Sequence, residues 1–276
     1  MTNVAPLKDG GVAAYDLPTA DKIPKLRKLL GPTSPEMKTI DIGSGTGYTT
    51  LSVLSGSEIT CVDSHRPNLD CVANLAKANQ RKVPVLLNGT ATSLPVRNAA
   101  FDVVMCSEVV EHLEDDDAVV AEIARVLKPH ATVLITVPYT GHGFTSFLEK
   151  AGIKTVHDYP GPEQHIRPGY DEQELSELLG RHGLEIDAID FYLKWLTRCT
   201  VDAVSLAHIG YQLVRHRRRV WTWADAAAAE GGLTFKVYKA MYPFLRLSSR
   251  LDDLLFKGRR GFAIIVRARK VETKDP

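Results

Sequence analysis

Three groups of side chains in this sequence could do chemistry. In the first, Asp41 stands two residues before Gly43, and Gly45 and Gly47 follow at alternate positions with Ser44 between. Glycines so spaced let a ligand lie directly against backbone, and the carboxylate would attract a cationic group while repelling a pyrophosphate. Twenty residues past Gly43, the run Ile59-Thr60-Cys61-Val62 ends at Asp63. A carboxylate there suits the two hydroxyls of a ribose. The second group, Ser107, Glu108, Glu111 and His112, follows the apolar run 101–106. An imidazole suits His112 to proton removal, although Glu111 and His112 could equally cap the following helix or brace the loop. The third group is Tyr139, His142, His165 and Arg167, spread over two loops. Arg167 could hold a substrate carboxylate or phosphate, or pair with Asp171 or Glu172.

These residues need a scaffold that gathers them. Short apolar runs without alternation at 38–42, 58–62, 84–87, 101–106 and 132–137 read as strands covered on both faces. Helical spacing fills 46–54, 67–79 and 116–127, the last ended by Lys128-Pro129. Repeated strand–helix units predict a parallel sheet with right-handed crossovers and a ligand crevice at the carboxyl ends of the strands. The glycine loop, Asp63 and Ser107 all fall at that edge. Before the first strand lie an arm (1–18) and a helix (19–30) with Thr19 as its cap and Gly31-Pro32 as its stop. Later, 171–182 reads as a helix, and 184–193 and 261–269 as strands. Roughly 65 residues separate those two strands, far more than a hairpin loop. Helical spacing at 201–214 and 233–247 makes that gap an inserted helical subdomain.

An apolar content of 44% and a charged content of 24% fit a soluble globular protein. Four cysteines without C-x-x-C or metal spacing, and no apolar stretch near the ~18 residues of a spanning helix, read as a reducing, cytoplasmic chain. The net charge of +1 conceals a division. Residues 1–193 carry 17 lysines and arginines against 26 acids, a balance of −9; residues 194–276 carry 17 against 7, a balance of +10. The C-terminal part therefore faces either something anionic or the acidic part of its own fold.

The pattern Asp41-x-Gly43-x-Gly45-x-Gly47 resembles the class I S-adenosylmethionine-dependent methyltransferases, small-molecule enzymes of the type 11 kind. The resemblance spans roughly residues 36–193 and 261–270. It implies an α/β fold: a Rossmann-like seven-stranded, mostly parallel sheet with an antiparallel last strand, here with a helical insertion before that strand. The implied organisation is an arm and helix (1–35), a cofactor-binding core (36–195), a basic helical insertion (196–260) and a last strand with tail (261–276).

The implied cofactor is S-adenosylmethionine, with S-adenosylhomocysteine as product. Its expected contacts are Tyr15, Asp41, Gly43, Ser44, Gly45, Gly47, Asp63, Ser64, Thr90, Ala91, Thr92, Ser107 and Glu108, with Tyr15 stacked over it from the arm. Thr90 departs from the family, which has an aspartate there for the adenine amino group; a threonine hydroxyl accepts the same bond without charge. The expected catalytic residues are His112, His165 and Tyr139. No metal ligand is expected, although a magnesium site from Glu108, Glu111 and His112 is open by resemblance to quinone-precursor methyltransferases.

The expected acceptor is a small, bulky or amphipathic molecule methylated at oxygen, with nitrogen and carbon open. A non-catalytic cofactor-binding adaptor is one alternative. An NAD-dependent oxidoreductase is another, disfavoured because Tyr238 and Tyr242 supply no Tyr-x-x-x-Lys pair. In the insertion, Arg215, Arg217, Arg218 and Arg219 stand beside Trp221 and Trp223. Val201, Val204, Ile209 and Leu213 upstream, and Tyr238, Met241, Tyr242, Phe244 and Leu245 downstream, supply apolar faces. This suits either a lid packed on the acidic half or peripheral contact with an anionic membrane. No nucleic-acid-binding module is recognisable.

Overall fold

The computed structural model describes residues 7, 11–141, 150–152, 164–215 and 233–271. Strands β1 (Lys38–Ile42), β2 (Glu58–Asp63), β3 (Val85–Asn88), β4 (Phe101–Ser107), β5 (Leu127–Pro138), β6 (Leu184–Tyr192) and β7 (Ala263–Lys270) form one sheet. Their order is β3-β2-β1-β4-β5-β7-β6. Strands β1 to β5 pair in parallel, and β7 runs antiparallel between β5 and β6. The winding reverses between β1 and β4, so the crevice beyond their carboxyl ends is flanked by the glycine loop and by Ser107.

Helices cover both faces, which is why the central strands are buried continuously. Ile40, Ile42, Val104, Cys106, Val133 and Ile135 lie in a cluster with α4 (Asp116–Val126) and α5 (Glu172–Gly180). The opposite face packs Val103, Met105, Leu134 and Ile265 against Leu26 of α1 (Leu17–Leu30) and Val53 of α2 (Tyr48–Val53). Each fully buried side chain of this size stabilises the fold by about 1.5–3 kcal/mol. Helix α3 (Arg66–Ala78) lies over β2, with Leu69 and Val72 packed against Cys61.

Three local expectations are corrected. Helix α1 begins at Leu17 with Asp16 as its cap, accepting the Thr19 N–H at 2.8 Å. Pro18 explains the earlier start, since it fits the first turn and has no N–H to satisfy. Asp115, and not Glu111 or His112, caps α4 by accepting the Ala118 N–H at 2.9 Å. Finally, Lys128-Pro129 ends α4 but lies inside β5. Leu127 pairs with Phe101 and Thr132 with Val103, so 128–131 bulge out of the ladder. There a proline forfeits no sheet hydrogen bond.

The insertion holds α6 (Trp195–Arg215), α7 (Leu233–Leu245) and α8 (Leu247–Leu255). Polar groups join α8 to α6 and α1. Asp252 accepts the Leu196 and Thr197 N–H groups at 2.9 and 2.7 Å, capping α6. Asp253 pairs with Lys25 and Lys194, both at 3.0 Å. Asp21 pairs with Lys25 and accepts from the Leu193 N–H and the Ser249 hydroxyl. From α7, the Tyr238 hydroxyl donates to the Tyr15 carbonyl at 2.7 Å and the Tyr242 ring meets Tyr15 edge-on. Among the described residues no helix is long and apolar enough to cross a membrane.

Candidate active site

The loop after β1 is shaped by glycines with left-handed backbone. Gly43 has φ +69°, and a Cβ there would collide with Val109, so this glycine lets the β4 loop close against the β1 loop. Gly45 has φ +51°, and a Cβ there would meet nothing within 4 Å. A side chain there would therefore point into open space. Asp63 holds the loop in place: its carboxylate accepts the Gly45 N–H at 2.8 Å, the His65 N–H at 2.8 Å and the Asn68 amide at 3.2 Å. A carboxylate has about four acceptor positions, so one remains for a ligand hydroxyl.

Asp41 is buried beneath this loop. One carboxylate oxygen accepts from the Thr50 hydroxyl, and the other, Oδ1, has no partner. Burial pushes this carboxyl up to about 7, against the opposing pull of the Thr50 hydrogen bond and the Lys22 ammonium. The buried Ser44 hydroxyl is likewise without a partner. Two orphaned polar atoms beneath an open glycine are the signature of a berth completed by a polar, cationic ligand.

Across the crevice, a chain of hydrogen bonds runs from Lys22 to Glu108. The Lys22 ammonium donates to Ser107 Oγ (2.9 Å), Ser107 Oγ meets Thr136 Oγ1 (2.9 Å), and Thr136 donates to Glu108 Oε1 (2.7 Å). The Tyr192 hydroxyl donates to the same oxygen. Glu108 carries φ +57°, a conformation that non-glycine residues adopt only when their surroundings enforce it. Burial acts to raise the Glu108 carboxyl, but the Lys22 charge and the Tyr192 and Thr136 donors hold it below the usual range. Glu111, fully buried with both oxygens unpartnered, is pushed well up by burial and then by the Glu108 charge.

Beside them, the loop after β4 meets the segment before α5. The Ile166 N–H donates to the Glu111 carbonyl at 2.9 Å, and the rings of His112 and His165 meet edge-on at 4.7 Å. His112 Nδ1 lies 2.8 Å from the Gln164 carbonyl. A carbonyl only accepts, so this bond assigns the proton to Nδ1 and leaves Nε2 of the neutral ring as an acceptor. Glu111, His112 and His165 each offer one ligand atom within 4.8 Å of the others. Two imidazoles and one carboxylate suit a transition metal ion better than magnesium. Glu108 is not part of this trio, and Thr136 and Tyr192 engage its carboxylate; His165 stands where the set left open by resemblance had Glu108.

The other expected residues differ in burial and partners. Tyr139 is 2% exposed, with its hydroxyl donating to Glu172 at 3.2 Å and its ring against Phe191, so it is a packing residue and not a catalytic one. Arg167 pairs with Asp116 at 2.7 Å and stacks on Tyr170, instead of meeting Asp171 or Glu172. Ser64, Thr90 and Thr92 are exposed, while Ala91 packs against the main core cluster. Tyr15 is half-buried under Tyr242 and Lys239. His142 and residues 216–223 lie outside the described residues.

Two residues of the site escaped sequence reasoning, Lys22 and Tyr192, which stand 85 and 84 positions from their partners. For Lys22 a signal existed. It lies four residues before Leu26 on the buried stripe of α1, where a lysine needs a polar destination.

Comparison with known proteins agrees with this geometry. Residues 40–135 match the family model described as a methyltransferase domain. The chain is 30% identical over 235 residues to norajmaline N-methyltransferase of Rauvolfia serpentina, covering 82% of this chain and 74% of that protein. It is 25% identical over 162 residues to a ubiquinone biosynthesis O-methyltransferase of Rickettsia bellii (strain OSU 85-389), covering 56% of this chain and 64% of that one. In fold it resembles geranyl diphosphate C-methyltransferase from Streptomyces coelicolor A3(2), with a TM-score of 0.55 at 14% identity, over 91% and 79% of the two chains.

Fold and site together define a Rossmann-like transferase. The chain belongs to the class I S-adenosylmethionine-dependent methyltransferases. It is an enzyme that uses S-adenosylmethionine to methylate a small-molecule acceptor, which sets aside the oxidoreductase and adaptor alternatives. The orphaned Asp41 Oδ1, the open face of Gly45 and the remaining acceptor position of Asp63 fit that cofactor.

Proposed function

We propose that this methyltransferase acts on a hydroxyl of an amphipathic acceptor, and that His112 takes the hydroxyl proton. The observation that carries the reading is the bond from His112 Nδ1 to the Gln164 carbonyl, which leaves Nε2 as a base beside His165. Bound S-adenosylmethionine supplies an activated methyl on a sulfonium. Asp41, Ser44, Gly45 and Asp63 would hold it. Lys22 and Tyr192 keep Glu108 ionised, so the floor between β1 and β4 stays anionic. Methyl transfer otherwise needs alignment, which can lower a barrier by ~7–11 kcal/mol, and a base matters only where the acceptor retains its proton.

The relative named as a ubiquinone biosynthesis O-methyltransferase supports a hydroxyl acceptor, whereas the norajmaline relative is named an N-methyltransferase, which makes the amine arm of the test necessary. A second reading rests on the Glu111–His112–His165 trio, which could hold a cation that polarises the same hydroxyl.

Steady-state kinetics with matched phenol and amine acceptors test the proposal. His112→Ala should lower kcat for hydroxyl acceptors by about 10²–10³ and abolish the rise of rate with pH, while cofactor affinity stays within about twofold. Methylation of amines alone by the wild type would overturn it. Chelator sensitivity reversed by an added transition metal would favour the second reading.

A further inference from the structure

Seven of the eleven exposed large apolar side chains among the described residues fall within α7 and α8. Val237, Met241 and Phe244 recur at steps of four and three on α7, and Leu247, Leu251 and Leu254 repeat the rhythm on α8. Each helix therefore carries its exposed residues as one stripe, with Phe244 and Leu254 at 77% and 75% exposure. An apolar concentration of this kind marks a contact surface. Trp195, 47% exposed, meets Phe256 just past the end of α8 and adds an indole there.

Charge decides the partner. The only acids of residues 233–260 are Asp252 and Asp253. Asp252 is buried capping α6, and Asp253 pairs with Lys25 and Lys194. Lys236, Arg250, Lys257 and Arg259 are exposed and form no ion pair among the described residues. Asp253 is exposed too but is neutralised by its two lysines, so the charge left unpaired on these helices among the described residues is cationic. A second copy docked face to face would bring like charges together. An acidic protein groove could match the charge, but apolar side chains spread along two helices and flanked by a tryptophan and cations suit a fluid surface better.

We infer that α7 and α8 form a docking face for an anionic lipid bilayer, lying in the headgroup region with the apolar stripe inserted and the cations at the phosphates. The contact is peripheral, and both acids of the face are already engaged within the protein, Asp252 by N–H groups of α6 and Asp253 by Lys25 and Lys194.

Co-sedimentation of the full chain with phosphatidylcholine vesicles, with and without about one third phosphatidylglycerol, tests this. Binding to the anionic vesicles should exceed binding to the neutral ones by at least about tenfold and should fall with added salt. The double variant F244S/L254S alters only exposed positions and should lose most of the binding while keeping its circular dichroism spectrum. The charge reversal R250E/K257E should weaken binding at least about twentyfold. Equal sedimentation with both vesicle types, or unchanged binding in either variant, would overturn the inference. So would a lipid-free dimer, seen by sedimentation velocity, that F244S/L254S disperses, because the face would then belong to a second copy.

Discussion

The glycine-loop crevice and the junction between α1, α6 and α8 bury comparable polar machinery and treat it in opposite ways. In the crevice, Asp41 Oδ1, Ser44 Oγ and both Glu111 oxygens are buried without partners. In the junction, Asp21, Lys25, Lys194, Asp252 and Asp253 all find donors or counter-ions, leaving only the Thr197 hydroxyl unpartnered. Unsatisfied buried groups cost stability, and satisfied ones contribute to it. The crevice is thus built for an arriving ligand, and the junction for holding the insertion to the core. A buried polar residue cannot be assigned to function or structure from its burial alone; several unpartnered atoms gathered in one place, as in the crevice, point to a ligand.

Neutralising one aspartate in each region breaks or sharpens this contrast, because the expected effects have opposite signs. The largest effect belongs to Asp41. Its folded carboxyl, pushed up to about 7, binds more protons than in the unfolded chain. Its contribution to stability therefore declines as pH rises from about 4 to about 7. Asp41→Asn should stabilise the cofactor-free enzyme by up to about 4 kcal/mol at pH 8, with no gain near pH 4, as read from urea unfolding. Calorimetry should meanwhile show wild-type cofactor affinity rising between pH 6 and pH 8 and the variant losing that rise. A destabilised variant at pH 8 would dissolve the contrast.

Next comes Gly45→Ala. The position has room for a Cβ inside the protein, so unfolding should register only the left-handed strain, about 1–2 kcal/mol. Cofactor affinity should fall further, by about 3 kcal/mol, because the methyl stands where the ligand must lie. Equal losses in both measurements would mean that the loop, and not the berth, was damaged. The smallest effect is Asp252→Ala in the junction. Removing the cap of α6 should cost about 2 kcal/mol of stability and leave cofactor affinity unchanged.

Legibility in the sequence follows the range of the interactions. The glycine loop, Asp63 and the 107–112 segment were readable because each is a local string whose spacing fixes backbone and chemistry together. The strands were readable for the same reason, down to the antiparallel last strand implied by family resemblance. Tyr139 misled because a tyrosine just past a strand can face either the crevice or the core, and only packing against Phe191 and Glu172 decides between them. Arg167 misled because its partner, Asp116, stands 51 residues away.

By itself the sequence determined the layered α/β architecture, the glycine berth and its flanking carboxylates, since apolar periodicity and backbone permissiveness act over a few residues. Tertiary structure alone decided that Lys22 and Tyr192 face Glu108, that Glu111 stands with His112 and His165, and that Asp252 and Asp253 of α8 are engaged by α6 and by Lys25 and Lys194. Those outcomes depend on which distant segments the sheet order brings together, and that is settled by the packing of the whole chain and not by any one stretch of it.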